Sequence, residues 1–205
     1  MKQQSSREKT QNIVRIALLS AIVVTIQLLF SNLTIGPVTL SFTLIPIVIA
    51  GTLISPVAGL IVGAVSGITT FIQVLTSANV FYVFLIGTNP LATALICLTK
   101  TSAAGYLSGL FYRLITKSTK KRTLGAVVSA AACPIINTGI FCLGMFTFFA
   151  NALMTDSVFG ADASAGLVAF VFIGLAGINF VVELILNLVL CPVISEALHK
   201  VYTRK

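Results

Sequence analysis

The chain has 205 residues, of which 57% are hydrophobic and only 9% are charged. Soluble domains carry about 25% charged residues, so this composition excludes a water-soluble globular protein and predicts an all-α integral membrane protein. Each membrane-spanning helix needs about 20 apolar residues. The length therefore predicts a bundle of about six spans in a single membrane domain, residues 1–205, and excludes a separate soluble catalytic domain.

Six apolar runs follow one another along the chain. Residues 1–11 are polar and basic and lack a signal-peptide cleavage pattern, which predicts a cytoplasmic tail before a retained helix. The second and third runs are separated only by Ser55-Pro56, so we expect a tight helical hairpin. The fourth begins at Asn89-Pro90, where proline suits a first helical turn. The predicted spans are about 13–33, 38–54, 57–76, 90–115, 124–153 and 167–198.

Two segments between the runs have a distinct composition. Residues 77–88 are aromatic and uncharged, too short to cross a bilayer and too apolar for an ordinary loop, which predicts a lid or a short helix at the membrane interface. Residues 154–166 contain Asp156 and Asp162 and are predicted to be a loop. The four cysteines have no C-x-x-C spacing, so we expect packing residues and no metal or cofactor.

The basic residues fall on one side of the six-span arrangement. Of the 13 lysines and arginines, all except Lys100 lie near the N-terminus, between the fourth and fifth spans, or at the C-terminus. Cytoplasmic loops carry an excess of Lys and Arg, so both termini are predicted to be cytoplasmic. The same rule explains the net charge of +8, which therefore does not indicate a nucleic-acid partner.

Few polar residues lie deep inside the spans. Lys100 and Glu183 are the two ionisable ones, and a charge near the bilayer centre costs at least about 2.5–3.5 kcal/mol unless it has a partner or a ligand. Asn179 and Asn187 share a helix face with Glu183, and Asn137 is expected at a similar depth. These residues predict a polar patch for a ligand, with interhelical hydrogen bonding as the alternative.

Small residues repeat every four positions on two spans. Gly59, Gly63 and Gly67 do so on the third, and Ala17 and Ala21 on the first. This spacing lets helices approach closely, but it leaves open whether the partner is another span or another protein.

The sequence contains no catalytic motif of the common classes. A G-x-x-x-x-G-K-[ST] phosphate loop is missing, so the chain is not expected to hydrolyse ATP. Its single histidine, His199, lies outside the apolar interior, which leaves no Ser-His or H-E-x-x-H arrangement within the membrane. We therefore predict a protein that is not an enzyme.

Three local patterns resemble one known family. Residues 17–21 read ALLSA, residues 42–46 read FTLIP ahead of SPVAGL at 55–60, and residues 179–183 read NFVVE ahead of Pro192. With the predicted topology, these patterns resemble the substrate-binding subunits, or S components, of energy-coupling factor (ECF) vitamin transporters. The last pattern resembles the pantothenate-type members.

This resemblance implies a high-affinity vitamin-binding subunit of an ATP-driven importer in a bacterial plasma membrane. Its partners would be a transmembrane coupling subunit and two cytoplasmic ATPases, which drive a toppling motion that releases the vitamin inside. Pantothenate is the first expected substrate, because Lys100 suits a carboxylate. Riboflavin, cobalamin, pyridoxine and folate are the other candidates. The resemblance implies vitamin contacts at Tyr82, Asn89, Lys100, Asn137, Asn179 and Glu183, and coupling-subunit contacts at Ala17 and Ala21.

Two other functions are compatible with the sequence. A self-sufficient secondary transporter or channel would use Lys100 and Glu183 as an ion or proton relay. A purely structural membrane subunit would use them as an interhelical pair.

Overall fold

The computed structural model describes residues 6–30, 34–35, 38–39 and 41–203. The described residues form helices and one hairpin of two strands, each two residues long. Two of the helical runs contain π-helical stretches. In chain order the elements are α1 (Ser6–Leu29), β1 (Thr34–Ile35), β2 (Val38–Thr39), α2 (Leu44–Leu53), α3 (Pro56–Thr76), α4 (Val80–Thr88), α5 (Pro90–Thr119), α6 (Arg122–Gly144) with a π-helical stretch (Met145–Phe149), α7 (Ala150–Thr155), α8 (Gly160–Ala169) with a π-helical stretch (Phe170–Leu175), and α9 (Gly177–Thr203).

Four helical stretches of the described chain are long and apolar enough to cross a membrane: Ser6–Leu29, Pro56–Thr76, Arg122–Thr155 and Gly160–Leu198. The pair α4 and α5 qualifies as a fifth when taken together, with a bend of 114° between them. These helices confirm the all-α membrane class. The six-span bundle stays a prediction, because α2 has only ten residues, about 15 Å of helix.

The prediction of a helical span over 38–54 is wrong in its first part. Val38–Thr39 pairs with Thr34–Ile35 as antiparallel strands, with Ile35 opposite Val38, and α2 begins at Leu44. β-Branched residues on both sides of Gly36-Pro37 favour a hairpin over a helix. The first helix is shifted relative to the predicted span 13–33: α1 begins earlier, at Ser6, and ends at Leu29, and residues 31–33 of that prediction lie outside the described residues.

The predicted loop over 154–166 is also wrong in its second half. Asp156 lies between α7 and α8, and its Oδ1 accepts hydrogen bonds from the backbone N–H groups of Val158 and Phe159, at 2.8 and 3.0 Å. These bonds close a turn that lets α8 begin at Gly160. Asp162 then lies in the first turn of α8, where a negative charge is favourable.

The aromatic stretch between α3 and α5 forms a short helix, as predicted. Asn79 begins α4 by accepting the backbone N–H of Phe81 on its Oδ1, at 2.9 Å. Rings of α4 then pack on the turn between α7 and α8: Phe159 makes edge contacts with Phe81 and Phe84, with ring centroids 5.8 and 5.6 Å apart. This contact closes one end of the bundle with apolar surface.

The glycine stripe of α3 packs against α5 of the same chain. A Cβ atom added at Gly59 would lie 2.3 Å from the carbonyl oxygen of Gly105, and one added at Gly63 would lie 2.3 Å from that of Thr101. These distances are far below normal contact, so the two backbones touch only because the side chains are missing. The partner that the sequence left open is therefore another helix of this chain.

The opposite end of the bundle carries basic residues, and we call it the basic end. Arg113, near the end of α5, donates to the carbonyl oxygen of Ile54 in the turn between α2 and α3, at 3.4 Å. Arg15 of α1 lines one groove with Leu198 of α9. Arg122, at the start of α6, lines another with residues of α9. The basic residues that are far apart in sequence thus meet on one side, as the positive-inside rule requires.

Candidate binding cavity under the segment before the second helix

Two adjoining cavities lie among the membrane helices, next to the chain segment that precedes α2. The space between atoms is about 480 Å³ in one and 320 Å³ in the other, counting the parts that open to the surroundings, and the centre of a water-sized sphere fits in only about 30 Å³ of each. Small-molecule sites commonly have volumes of about 300–1,000 Å³, so a small molecule would enter only if these cavities widened. The cavities meet at five shared lining residues: Val38, Thr39, Ser41, Lys100 and Phe141.

The two cavities differ in chemical character. The larger, which we call the aromatic cavity, is lined mainly by apolar side chains that include Phe81, Leu85, Ile96 and Met145. The smaller, which we call the polar cavity, is lined by Asn137, Thr138, Asn179, Leu175 and Glu183. A molecule that occupied both would therefore contact apolar groups at one end and polar groups at the other.

Lys100 lies where the cavities meet. It is on α5, its side chain is 9% exposed, and its Nζ lies 5.5 Å from the centroid of the Phe141 ring. A cation over an aromatic face gains about 0.5–2 kcal/mol, which offsets only part of the cost of burial. Within the described chain, no carboxylate lies within 4.0 Å of the ammonium, although Glu183 attracts it from a longer distance. The pairing of Lys100 with Glu183 that a structural subunit would use is therefore not formed.

Two side chains of α9 hold the segment before α2. Asn179 donates from Nδ2 to the carbonyl oxygen of Val38, at 2.9 Å. Glu183, one turn further along, accepts the backbone N–H of Ser41 on Oε1, also at 2.9 Å. Since Val38 and Ser41 line both cavities, these bonds keep backbone over the polar cavity. We call Val38, Thr39 and Ser41 the covering segment.

The covering segment is held from a second direction by α4. The Tyr82 hydroxyl accepts the backbone N–H of Thr39 at 3.1 Å and lies 2.7 Å from the Thr39 hydroxyl oxygen. Tyr82 is 4% exposed and lines the aromatic cavity. Hydrogen bonds from α4 and α9 therefore fix the same short segment on both sides of the junction.

Two buried acceptors of the polar cavity have no partner. The side-chain oxygens of Asn137 and Asn179 accept no hydrogen bond within the described chain, and the two side chains are only 4% and 5% exposed. An unsatisfied buried polar group costs about 1–3 kcal/mol. The polar cavity thus offers two oxygen atoms to any hydrogen-bond donor that enters it.

The other two asparagines singled out by the sequence have different surroundings. Asn89 caps α5: its Oδ1 accepts the backbone N–H of Ala92 at 3.0 Å, and it lines neither cavity. Asn187 donates to the carbonyl oxygen of Glu183 at 2.8 Å and accepts from the Cys191 thiol at 3.3 Å. Both amides thus serve helix structure in these contacts.

Sequence reasoning missed several cavity residues. The predicted span 38–54 places Thr39 and Ser41 in a helix, yet the Thr-Ile-Gly-Pro-Val-Thr pattern at residues 34–39 is a hairpin signal. Phe141 lies four residues after Asn137 on α6, so helical spacing alone places both on one face. Met145 follows Phe141 by four more residues, and its backbone N–H still bonds to the Phe141 carbonyl oxygen, so the same spacing extends to it.

The small residues of α1 lie away from the cavities. Ala17 and Ala21 are exposed, and only 11% of the apolar stretch of α1 is buried in the bundle, against 22–44% in the other three long stretches. Gln27, near the end of α1, is the one residue of this helix that lines the aromatic cavity. Most of α1 is therefore free to contact lipid or another protein.

These features define a multi-pass helical membrane protein with two adjoining internal cavities. The family model of the ECF transporter substrate-specific component matches residues 11–195, and the chain belongs to this family. No curated protein matches the chain. Members of the family are transporter subunits, not enzymes, that bind small vitamins and work with membrane and ATPase components. The chain is accordingly a vitamin-binding transporter subunit and a multi-pass protein of the bacterial plasma membrane, which confirms the family inferred from the sequence.

Proposed function

We propose that this subunit captures a water-soluble vitamin from outside the cell in the joined cavities and releases it inside as part of an ATP-driven importer. The observation that carries the proposal is Lys100, a buried cation that has no ion-pair partner among the described residues and lies beneath a covering segment that two helices hold. Pantothenate is the first candidate for the vitamin, followed by riboflavin, cobalamin, pyridoxine and folate.

Five of the six predicted vitamin contacts lie at the cavities and are retained: Tyr82, Lys100, Asn137, Asn179 and Glu183. Asn89 has the weakest support, because its side-chain oxygen caps α5. Thr39, Ser41, Phe141 and Met145 join the proposed site as lining residues.

The covering segment acts as the lid in this proposal. Its hydrogen bonds to Tyr82, Asn179 and Glu183 each contribute about 0.5–1.5 kcal/mol net. Together they keep the closed form dominant by a few kcal/mol, and yet thermal motion opens it often enough for a vitamin to enter. Capture then needs no motion of the long helices.

The proposed assembly follows from the surfaces of the bundle. Both termini face the cytoplasm, since the basic end carries the arginines of α1, α5 and α6. The exposed small residues Ala17 and Ala21 contact the transmembrane coupling subunit. Two cytoplasmic ATPases hydrolyse ATP, and the subunit topples to release its vitamin. Six spans are proposed, with the ten-residue α2 and the covering segment forming the second crossing.

Reconstitution tests this function. The subunit is co-expressed with the coupling subunit and both ATPases of a host, purified as a complex, and placed in vesicles with ATP inside. Uptake of the vitamin should require internal ATP and should stop with ATPases whose catalytic glutamate is replaced. Failure to co-purify with the coupling subunit, together with uptake that follows an ion gradient, would instead support a secondary transporter that uses Lys100 and Glu183 as a relay.

A further inference from the structure

We infer that the vitamin is a carboxylate that also carries at least two hydroxyl or N–H donors, bound with its carboxylate at Lys100 and its donors at Asn137, Asn179 and Glu183. This inference rests on the proposed function and narrows its substrate class. Of the candidates above, pantothenate and folate belong to the class, whereas riboflavin and pyridoxine carry no carboxylate.

The charge at the junction favours an anion. The Lys100 side chain is only 9% exposed, and the aromatic ring beside its ammonium, Phe141, carries no charge. Glu183 is already engaged, since its Oε1 accepts the backbone N–H of Ser41. A neutral vitamin would leave the ammonium without an ion-pair partner, and a cationic one would add a second positive charge. A carboxylate placed at Lys100 forms the missing pair in a region that excludes water.

The free acceptors fix the other end of the ligand. The side-chain oxygens of Asn137 and Asn179 have no donor among the described residues, and the Glu183 carboxyl accepts the backbone N–H of Ser41 on Oε1. All three side chains line the polar cavity. The amide oxygens of Asn137 and Asn179 accept hydroxyl or N–H groups, and the carboxyl of Glu183 disfavours a ligand carboxylate beside it. The ligand therefore lies with its charged end at the junction and its donor-rich end toward α6 and α9.

Binding of a carboxylate at Lys100 requires the Phe141 ring to move. Lys100 and Phe141 line both cavities, and the ring now occupies the space in front of the ammonium. A carboxylate replaces the ring as the partner of Lys100, which opens the passage between the two cavities.

A matched pair of probes tests this class in the purified full-length subunit. Pantothenate and panthenol differ only in a carboxylate against an alcohol, and their binding is compared by isothermal titration calorimetry. The wild type should bind pantothenate about 30-fold or more tightly than panthenol, and in Lys100→Met the two affinities should agree within about threefold. Asn137→Leu should weaken both probes alike, by about tenfold, because both keep the donors.

The remaining outcomes separate this inference from the proposed function. If mass spectrometry finds another carboxylate with donors bound, such as biotin, the same comparison with its amide supports the class. Equal wild-type affinities for the pair, or a neutral vitamin such as riboflavin in the site, would overturn the class and leave the importer subunit intact. If no vitamin binds to the subunit or co-purifies with it, both this inference and the proposed function are wrong. Lys100→Arg, which keeps the charge, should retain at least a tenfold preference for the carboxylate even if Lys100→Met folds poorly.

Discussion

Lys100 and Glu183, the two buried ionisable residues of the polar cavity, contact different partners. Glu183 holds backbone through Ser41, and Lys100 faces an aromatic ring. If the pair served structure alone, direct contact would be the cheapest arrangement, because breaking a buried pair costs several kcal/mol. Their separation favours a ligand between them over an ion pair that only joins helices.

Substitutions of Glu183 should separate its hydrogen bond from its charge. Glu183→Gln keeps an oxygen for the backbone N–H of Ser41, whereas Glu183→Leu removes it. We expect hydrogen exchange at the Ser41 amide to become about threefold to tenfold faster in the leucine variant and to change little in the glutamine variant. Exchange measured by mass spectrometry on the solubilised subunit checks this. Equal exchange in the leucine variant and the wild type would show that this bond does not hold the covering segment.

The Tyr82 hydroxyl should control how long the vitamin stays bound. Tyr82→Phe removes the contacts with Thr39 and keeps the ring, so the co-purified vitamin should dissociate about threefold to tenfold faster. The matched control is Tyr106→Phe, since Tyr106 is 37% exposed and lines neither cavity. Dissociation is followed by dilution into excess unlabelled vitamin. An equal effect of both substitutions would contradict a role for α4 in closure.

The site was only partly predictable from single residues. Intramembrane charge singled out Lys100 and Glu183, because burying a charge in lipid has a cost that sequence alone reveals. The covering segment could not be recognised in this way. Ser41 is held through its backbone N–H, and Thr39 through its backbone N–H as well as its hydroxyl. Every residue except proline has the backbone group, so side-chain identity carries little information about these N–H contacts.

At the level of helices, α3 and α5 form the closest packed pair of the bundle. Gly59 faces Gly105, and Gly63 faces Thr101, with each added Cβ atom meeting a backbone carbonyl oxygen at 2.3 Å. Such contact positions α5, and with it Lys100, at a fixed depth. The cavity therefore depends on residues that never line it.

Replacing one of these glycines should destabilise the protein in a site-specific way. Gly59→Ala forces the two backbones apart, which costs about 1–3 kcal/mol or more. Gly139→Ala is the matched control, since nothing lies within 4 Å of its added Cβ, and alanine should stabilise that helix by about 0.5–1 kcal/mol. Thermal unfolding in detergent measures both. Similar changes in the two variants would show that α3 and α5 do not require this contact.

Hydropathy predicts most of the helices, but it does not predict the hairpin before α2 or the π-helical stretches. The run over 38–54 is apolar throughout, and the β-branched residues before Leu44 form a strand because they pair with Thr34–Ile35. Likewise, hydropathy does not distinguish α-helix from the π-helical stretches at Met145–Phe149 and Phe170–Leu175. Both differences arise from backbone pairing, to which composition is insensitive.

For the whole molecule, the proposed vitamin site and the proposed assembly surface lie apart. The cavities lie among α3, α4, α5, α6 and α9, whereas Ala17 and Ala21 are on the exposed face of α1. This helix is only 11% buried over its apolar stretch and reaches the cavities only through Gln27, which leaves most of its surface for a partner. This separation suits a subunit that must keep its vitamin while it changes orientation.

Bulky residues on α1 should therefore block assembly and spare binding. In the double variant Ala17→Phe and Ala21→Phe, the added rings prevent close approach of a partner helix, so co-purification with the coupling subunit should fall at least tenfold. Vitamin affinity should stay within about twofold of the wild type. Ile135→Phe, on the exposed face of α6, is the control and should assemble normally. Loss of vitamin binding in the α1 variant, or assembly as in the wild type, would contradict the separation.

The most direct measurement is mass spectrometry of the small molecules that co-purify with the solubilised subunit, compared between the wild type and Lys100→Met. The wild type should carry one vitamin carboxylate per chain, and the variant should carry at least 30-fold less at equal protein recovery and equal thermal stability. A wild type that carries no vitamin even after growth and purification with the candidates added would contradict capture in this cavity, and so would full occupancy in Lys100→Met.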